Sequence, residues 1–252
     1  MIETHALTKR YGATTVVDNV SVAIPQGGLT SIIGPNGAGK STLMMLVSRL
    51  LPASSGRVMI DGMDVATTPS NTLAQRLAIL RQDNHIGVRL TVRDLVAFGR
   101  YPYSKGRLTV EDRDHIERAL RYLDITALEA RFIDELSGGQ RQRAFIAMVL
   151  CQDTNYLLLD EPLNSLDLKY AAATMKILRR AADDLGKTIV LVLHDINFAA
   201  HYSDHIIAMN AGRVVLEGTP DHVIRTDTLS QLYDMHIGVH GLGDRKIITY
   251  YE

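Results

Sequence analysis

The 252-residue chain predicts an α/β fold: a parallel sheet with helices, preceded by short strands and interrupted by a helical insert. Three observations predict it. Short apolar, β-branched runs recur along the chain, at 29–33, 156–159 and 189–193, and each is strand-sized. A glycine-rich turn, Gly34-x4-Gly39-Lys40-Ser41, separates the first of these runs from a helical stretch. From Val92 to about Leu150 strand character gives way to a mostly helical pattern. A parallel core that admits a helical insert accounts for this order.

The elements follow in sequence. Residues 2–33 read as short strands broken at Tyr11-Gly12 and at 25–28, where proline and glycine stop regular pairing. The glycine turn and its helix run to about Leu50, and 57–60 form a strand ending at Asp61-Gly62. Residues 77–80 are a further strand. In the insert, Thr109 followed three residues on by Asp112 is a capping-box start. Ile116, Ala119, Leu120 and Leu123 give that helix its apolar stripe. Helices are predicted over 139–151 and 167–184, strands over 156–159 and 189–193. After Thr226 come a short helix and a terminal strand near 246–250, for which the sequence offers no chemistry. The division expected is one domain over 1–252: a core of about 1–84 and 152–225, a helical subdomain of about 85–151, and a tail of 226–252.

The glycine turn carries the first chemistry. Gly34, Gly37 and Gly39 allow positive φ and close approach of a ligand. The loop N–H groups and the helix N-terminus then face an anion. Lys40 would reach the β- and γ-phosphates of a nucleotide, and the Ser41 hydroxyl would ligate Mg²⁺. Strand, glycine loop, helix is the context this phosphate cradle requires.

A second centre closes the run 156–159, which ends in Asp160-Glu161. Adjacent acids at the end of a fully apolar strand are costly to place, and ligands in α/β sheets sit beyond the carboxyl ends of strands. Asp160 is positioned to hold Mg²⁺, directly or through water. Glu161, facing differently, would orient and deprotonate an attacking water. Taken without the cradle, one of the two acids could simply cap the next helix.

Composition excludes several classes. A net charge of −1 gives no broad electrostatic footprint for nucleic acid. Cys151 is the only cysteine, so no internal disulfide forms, a reducing compartment is expected, and the thiol reads as a small buried apolar group. No secretory signal is expected at the N-terminus, and no apolar run approaches the length of a membrane span. The nine histidines show no metal-ligand spacing.

Further residues carry a resemblance. Leu136-Ser137-Gly138-Gly139-Gln140 is the signature peptide of ATP-binding-cassette ATPases, and the whole chain resembles a subunit of that family. The resemblance implies a P-loop NTPase core (a RecA-like, mostly parallel sheet) with an N-terminal antiparallel β subdomain and a helical insert. It further implies ATP and Mg²⁺ as ligands. ATP would be gripped by Tyr11, stacked on adenine, and by Gly34, Asn36, Gly37, Ala38, Gly39, Lys40, Ser41 and Thr42. Ser41, Gln82 and Asp160 would hold the metal. Glu161, His194 and Gln82 would be the catalytic set, with His194 contacting the γ-phosphate and Gln82 sensing the metal, the water and a membrane partner. Ser137, Gly138, Gly139 and Gln140 would close over the ATP of a second copy, and Ser165-Leu166-Asp167 would communicate across that dimer. Alone, Tyr11 also fits a half-buried strand aromatic, and Gln82 and His194 would be unremarkable.

The stretch from Thr91 to Tyr103, with its Gly99-Arg100-x-Pro102-aromatic string, is similar to importers of iron–siderophore complexes, haem and cobalamin. So are His194-Asp195-Ile196-Asn197 and Glu217-Gly218-Thr219-Pro220. Residues 104–109 and Glu161-Pro162-Leu163-Asn164 look most like the ferric-siderophore subunits. Asn164 stands where many relatives have a hydroxyl residue; no loss of hydrolysis is expected from it. The partners implied are a second copy, transmembrane permease subunits and, indirectly, an extracytoplasmic substrate-binding protein, with the chain peripheral to the cytoplasmic face of the membrane. The rival is the ATPase of another such transporter, for haem, cobalamin or another solute, or an exporter. Chromosome-structuring relatives would need long coiled coils between cradle and signature, and no sustained heptads occur there.

Overall fold

A computed structural model describes residues 1–82, 87–164, 166–243 and 245–250. Its contacts group into two compact units, residues 1–68 with 188–252 and residues 69–187. The expected boundary at 84/85 lies outside the described residues.

Among the described residues the first unit holds two larger sheets besides a two-stranded hairpin of Gly238–Leu242 with Arg245–Thr249. One is antiparallel, in the order Thr14–Val20, Ile2–Tyr11, Ser55–Ile60, Met63–Asp64, with Ala23–Ile24 pairing on the start of Ile2–Tyr11. Ile2–Tyr11 runs ten residues and stops at the expected break, Tyr11-Gly12; register shifts along it absorb local irregularity. The other sheet runs Arg213–Gly218, His205–Asn210, Gly28–Ile33, Thr188–Val192. Its last three strands are mutually parallel, and Arg213–Gly218 is antiparallel to its neighbour. Ile32, Ile33, Leu191, Val192, Ile206 and Ile207 are inaccessible or nearly so. Each such side chain contributes about 1.5–3 kcal/mol by leaving water. Near-continuous apolar runs are what parallel strands buried on both faces require.

The second unit pairs Leu77–Leu80 parallel with Tyr156–Asp160 and carries the helices Val92–Phe98, Val110–Tyr122, Gly138–Cys151 and Leu168–Leu185. Thr109 caps its helix as expected: its hydroxyl accepts the Asp112 N–H, and the Asp112 carboxylate accepts the Thr109 N–H at 2.9 Å. The Gly-Arg-x-Pro-aromatic string has an internal structural role. Arg100 is buried, its Nε donates to Asp112 Oδ1 at 2.8 Å, and Nη1 donates to the Cys151 carbonyl at 3.1 Å. Its guanidinium lies 4.0 Å from the centre of the Tyr103 ring. Burial pushes the Asp112 carboxyl up, but the hydrogen bonds from Thr109 and the Arg100 guanidinium outweigh it and hold it below the usual carboxylate value. Its contribution to stability is therefore complete above that usual value and is lost as pH falls through the depressed one. Cys151 is buried, and desolvation pushes its thiol up to about 12, which makes it unreactive. Among the described residues no helix is long and apolar enough to cross a membrane.

Candidate active site

The first unit supplies the cradle. The strand Gly28–Ile33, buried from Leu29 onward, runs straight into it. At Gly34 φ is 143°, and a Cβ would lie 2.0 Å from the Met209 carbonyl oxygen. At Gly39 φ is 95°, and a Cβ would lie 2.6 Å from the Val16 carbonyl oxygen. Both positions are closed to side chains by conformation and by space. Gly39 is also the N-cap of the helix Lys40–Val47, which no side chain caps. Its leading N–H groups and the positive end of its dipole suit an anion. The helix ends at Val47, one turn short of the expected Leu50, with Ser48 at its C-terminus.

Lys40 is only 5% exposed, and its ammonium donates to the carbonyl oxygens of Gly34 at 2.8 Å and Pro35 at 2.9 Å. A buried charge needs such partners. A phosphate would offer the same ammonium a full negative charge in place of carbonyl dipoles. Asn36 and Gly37 are exposed, Ala38 is buried, and Ser41 and Thr42 are half-buried in the first helical turn.

Parallel register brings His194 to the same sheet edge. Leu29 pairs with Ile189 and Ile32 with Val192, so the carboxyl ends of both strands, and with them Gly34 and His194, emerge together. The Leu193 N–H donates to the Ile32 carbonyl at 3.2 Å. His194 is exposed, and Asp195 behind it caps the helix Ile196–Tyr202 by accepting the Asn197 N–H at 2.8 Å. Tyr11 ends its strand 51% exposed, with the Lys9 ammonium 5.1 Å from its ring centre.

The second unit supplies the acids by the same device. Every residue of Tyr156–Asp160 is buried, and Leu159 pairs with Leu80, so Asp160-Glu161 and Gln82 leave the two strands at one edge. Gln82 Nε2 donates to Glu161 Oε2 at 2.7 Å, and Asn164 Nδ2 donates to the same oxygen at 3.4 Å. Glu161 sits at φ 51°, a left-handed conformation that costs a side-chain-bearing residue about 1–2 kcal/mol. Such strain persists where surrounding structure imposes it, as functional turns do. A carboxylate oriented by two amides in this way can accept a proton from water. Asn164, given no role from the sequence, thus steadies Glu161; only its three-residue spacing from the acid could have indicated this.

The signature peptide also lies in this unit. Ser137 caps the helix Gly138–Cys151: its hydroxyl accepts the Gln140 N–H, and Gln140 Oε1 accepts the Ser137 N–H at 3.1 Å. Ser137 and Gly138 are exposed. Gly139 is buried against Tyr170, and a Cβ there would lie 2.7 Å from the ring. Asp167 caps the helix Leu168–Leu185 by accepting the Tyr170 N–H at 2.9 Å. Gly139 and Asp167 are thereby joined through one tyrosine. Ser165 lies outside the described residues.

Taken one by one, the Ser41 hydroxyl, the Asp160 carboxylate and the Gln82 amide each offer a hard oxygen, the kind that Mg²⁺ takes.

A family model described as ABC transporter matches residues 17–164. Over 252 residues, 100% of both chains, the sequence is 50% identical to the petrobactin import ATP-binding protein YclP of Bacillus subtilis (strain 168). It is also 50% identical over 239 residues to the petrobactin import ATP-binding protein FatE of Bacillus anthracis, covering 95% of this chain and 96% of that one. Among solved structures it is similar to a dimeric ATP-binding cassette in a post-hydrolysis state with ADP and Pi bound. That match has a TM-score of 0.77 and 29% identity, and covers 87% of this chain and 99% of the other. Cradle, strand-end acids and signature helix stand within one fold of this kind, and the chain belongs to the ABC transporter family as an ATP-binding subunit.

Proposed function

We propose that the chain is the ATP-binding and ATP-hydrolysing subunit of an importer for an iron(III)–siderophore complex, acting through a separate membrane permease. The observation that carries this reading is the 50% identity, end to end, with a petrobactin import ATP-binding protein.

The proposed working unit is two copies on the cytoplasmic face of the membrane, held there by the permease, with an extracytoplasmic binding protein delivering the cargo. Each chain is read as one ATPase domain whose helical subdomain, about 85–151, meets the permease. ATP is held by Tyr11 and by the cradle residues from Gly34 to Thr42 of one copy, and by Ser137–Gln140 of the other. Lys40 carries charge to the β- and γ-phosphates. Ser41, Asp160 and Gln82 would hold Mg²⁺, which would supply positive charge to offset that of the phosphates. Glu161, oriented by Gln82, takes the proton of the attacking water. His194 donates a hydrogen bond to the γ-phosphate. Closure is favoured while the γ-phosphate meets the second copy's helix N-terminus, and hydrolysis removes that bridge. Asp167 relays the change between copies.

The test is to purify the chain with its permease and screen solutes for stimulated ATP turnover. Stimulation by a ferric chelate supports the reading. Stimulation only by haem, cobalamin or an unrelated solute replaces the cargo and keeps the ATPase.

A further inference from the structure

The C-terminal segment has no part in the mechanism above, yet it reaches the cradle. The helix Thr226–Tyr233 ends in a half-buried tyrosine whose phenolic oxygen accepts the Gly34 N–H at 3.2 Å. Burial pushes this phenol up to about 12, against the opposing pull of the Gly34 N–H, so it stays neutral at any physiological pH. Leu229 and Leu232, both buried, seat the helix.

Gly34 is the peptide at which the strand Gly28–Ile33 turns into the loop. Glycine has the widest conformational freedom of any residue, and no side chain of its own fixes it. Two neighbours do. The Met209 carbonyl crowds one side of it, and the Tyr233 hydroxyl holds its N–H. The carbonyl of the same residue accepts the Lys40 ammonium at 2.8 Å. The setting of Gly34 and the placement of the phosphate-seeking charge are therefore linked. Farther along, the segment is tied again at a separate point. The Ile248 N–H donates to Asn197 Oδ1 at 2.9 Å, and Asn197 Nδ2 donates to the Ile248 carbonyl at 3.2 Å.

We propose that Tyr233 is a positioning residue for the phosphate cradle: its hydroxyl fixes Gly34 in the nucleotide-ready setting, so the C-terminal helix sets nucleotide affinity. This rests on the reading of the cradle as the ATP site.

The test compares the full-length wild type with Tyr233→Phe, which removes one oxygen and keeps the packed ring, and with Asn197→Ala, which releases the second tie. Affinities for ADP and for a non-hydrolysable ATP analogue are measured, then KM and kcat for ATP with the permease present. One net hydrogen bond corresponds to about a fivefold change in affinity. Tyr233→Phe weakens both nucleotides and raises KM by about that factor, with kcat held within about twofold. Asn197→Ala leaves the ADP affinity within about twofold of wild type. Unchanged affinity in Tyr233→Phe, with a wild type that binds, overturns the role of Tyr233 alone. Equal weakening by Asn197→Ala also overturns it, since the segment would then be a general support. A wild type that binds neither nucleotide overturns the cradle reading as well.

Discussion

The cradle and the signature peptide are both glycine-bearing turns that open a helix, Lys40–Val47 in one case and Gly138–Cys151 in the other. Their surroundings differ. Gly34 and Gly39 press on backbone carbonyls, and Lys40 is buried with its charge already partnered. Its helix has no side-chain cap, and a helix N-terminus of that kind suits an anion. The signature turn caps itself, Ser137 with Gln140, and lies exposed at Ser137 and Gly138. One is a turn whose close contacts all come from its own chain. The other is a surface with its internal bonds satisfied, suited to meeting something outside. Changes in the cradle should therefore act on a single chain, and changes at the signature on the pair.

The largest expected effect separates binding from chemistry. Glu161→Gln keeps the shape and removes the base, so turnover falls on the order of 10²- to 10⁴-fold while nucleotide binding and association persist. Phosphate release assays beside equilibrium binding would show it, and unchanged turnover would refute the role of Glu161. Next, Lys40→Ala deletes a charge-assisted contact and weakens ATP binding by about 10- to 100-fold in the isolated chain. Calorimetry on monomeric protein reads this directly; an effect seen only in the pair would erase the contrast between the two turns. Smaller is Gly139→Ala, whose methyl meets the Tyr170 ring. Overpacking of this kind costs about 1–3 kcal/mol, visible as a lower denaturation midpoint. Nucleotide affinity of the folded single chain should stay at the wild-type value, and a large loss there would contradict the division.

Much of this was legible in the residues. The cradle, the acids closing the run 156–159, and His194 closing 189–193 all lie at strand ends, where periodicity and a change of residue type mark the position. The Thr109 cap was legible because the capping signal is local. Long-range pairing was not. The strands His205–Asn210 and Arg213–Gly218 went unread, although the apolar run 206–209 and the turn at Ala211-Gly212, both at positive φ, carried the signal. Of the hairpin of Gly238–Leu242 with Arg245–Thr249, the second strand was legible near 246–250, whereas Gly238–Leu242 is largely exposed and no strong apolar alternation announced it. Arg143 carried no legible role; it is half-buried and donates to the Leu123 and Asp124 carbonyls at 3.4 and 3.5 Å, contacts set by packing alone. Arg100 read as a mark of subgroup and is a buried pin between Asp112 and Cys151, for the same reason.

Association driven by nucleotide tests the central claim most directly. The solution mass of the purified chain, alone and with its permease, would be measured with a non-hydrolysable ATP analogue and with ADP. The account predicts a two-copy assembly with the analogue that ADP does not sustain. Chains that stay apart with the analogue, even when the permease is supplied, would contradict it.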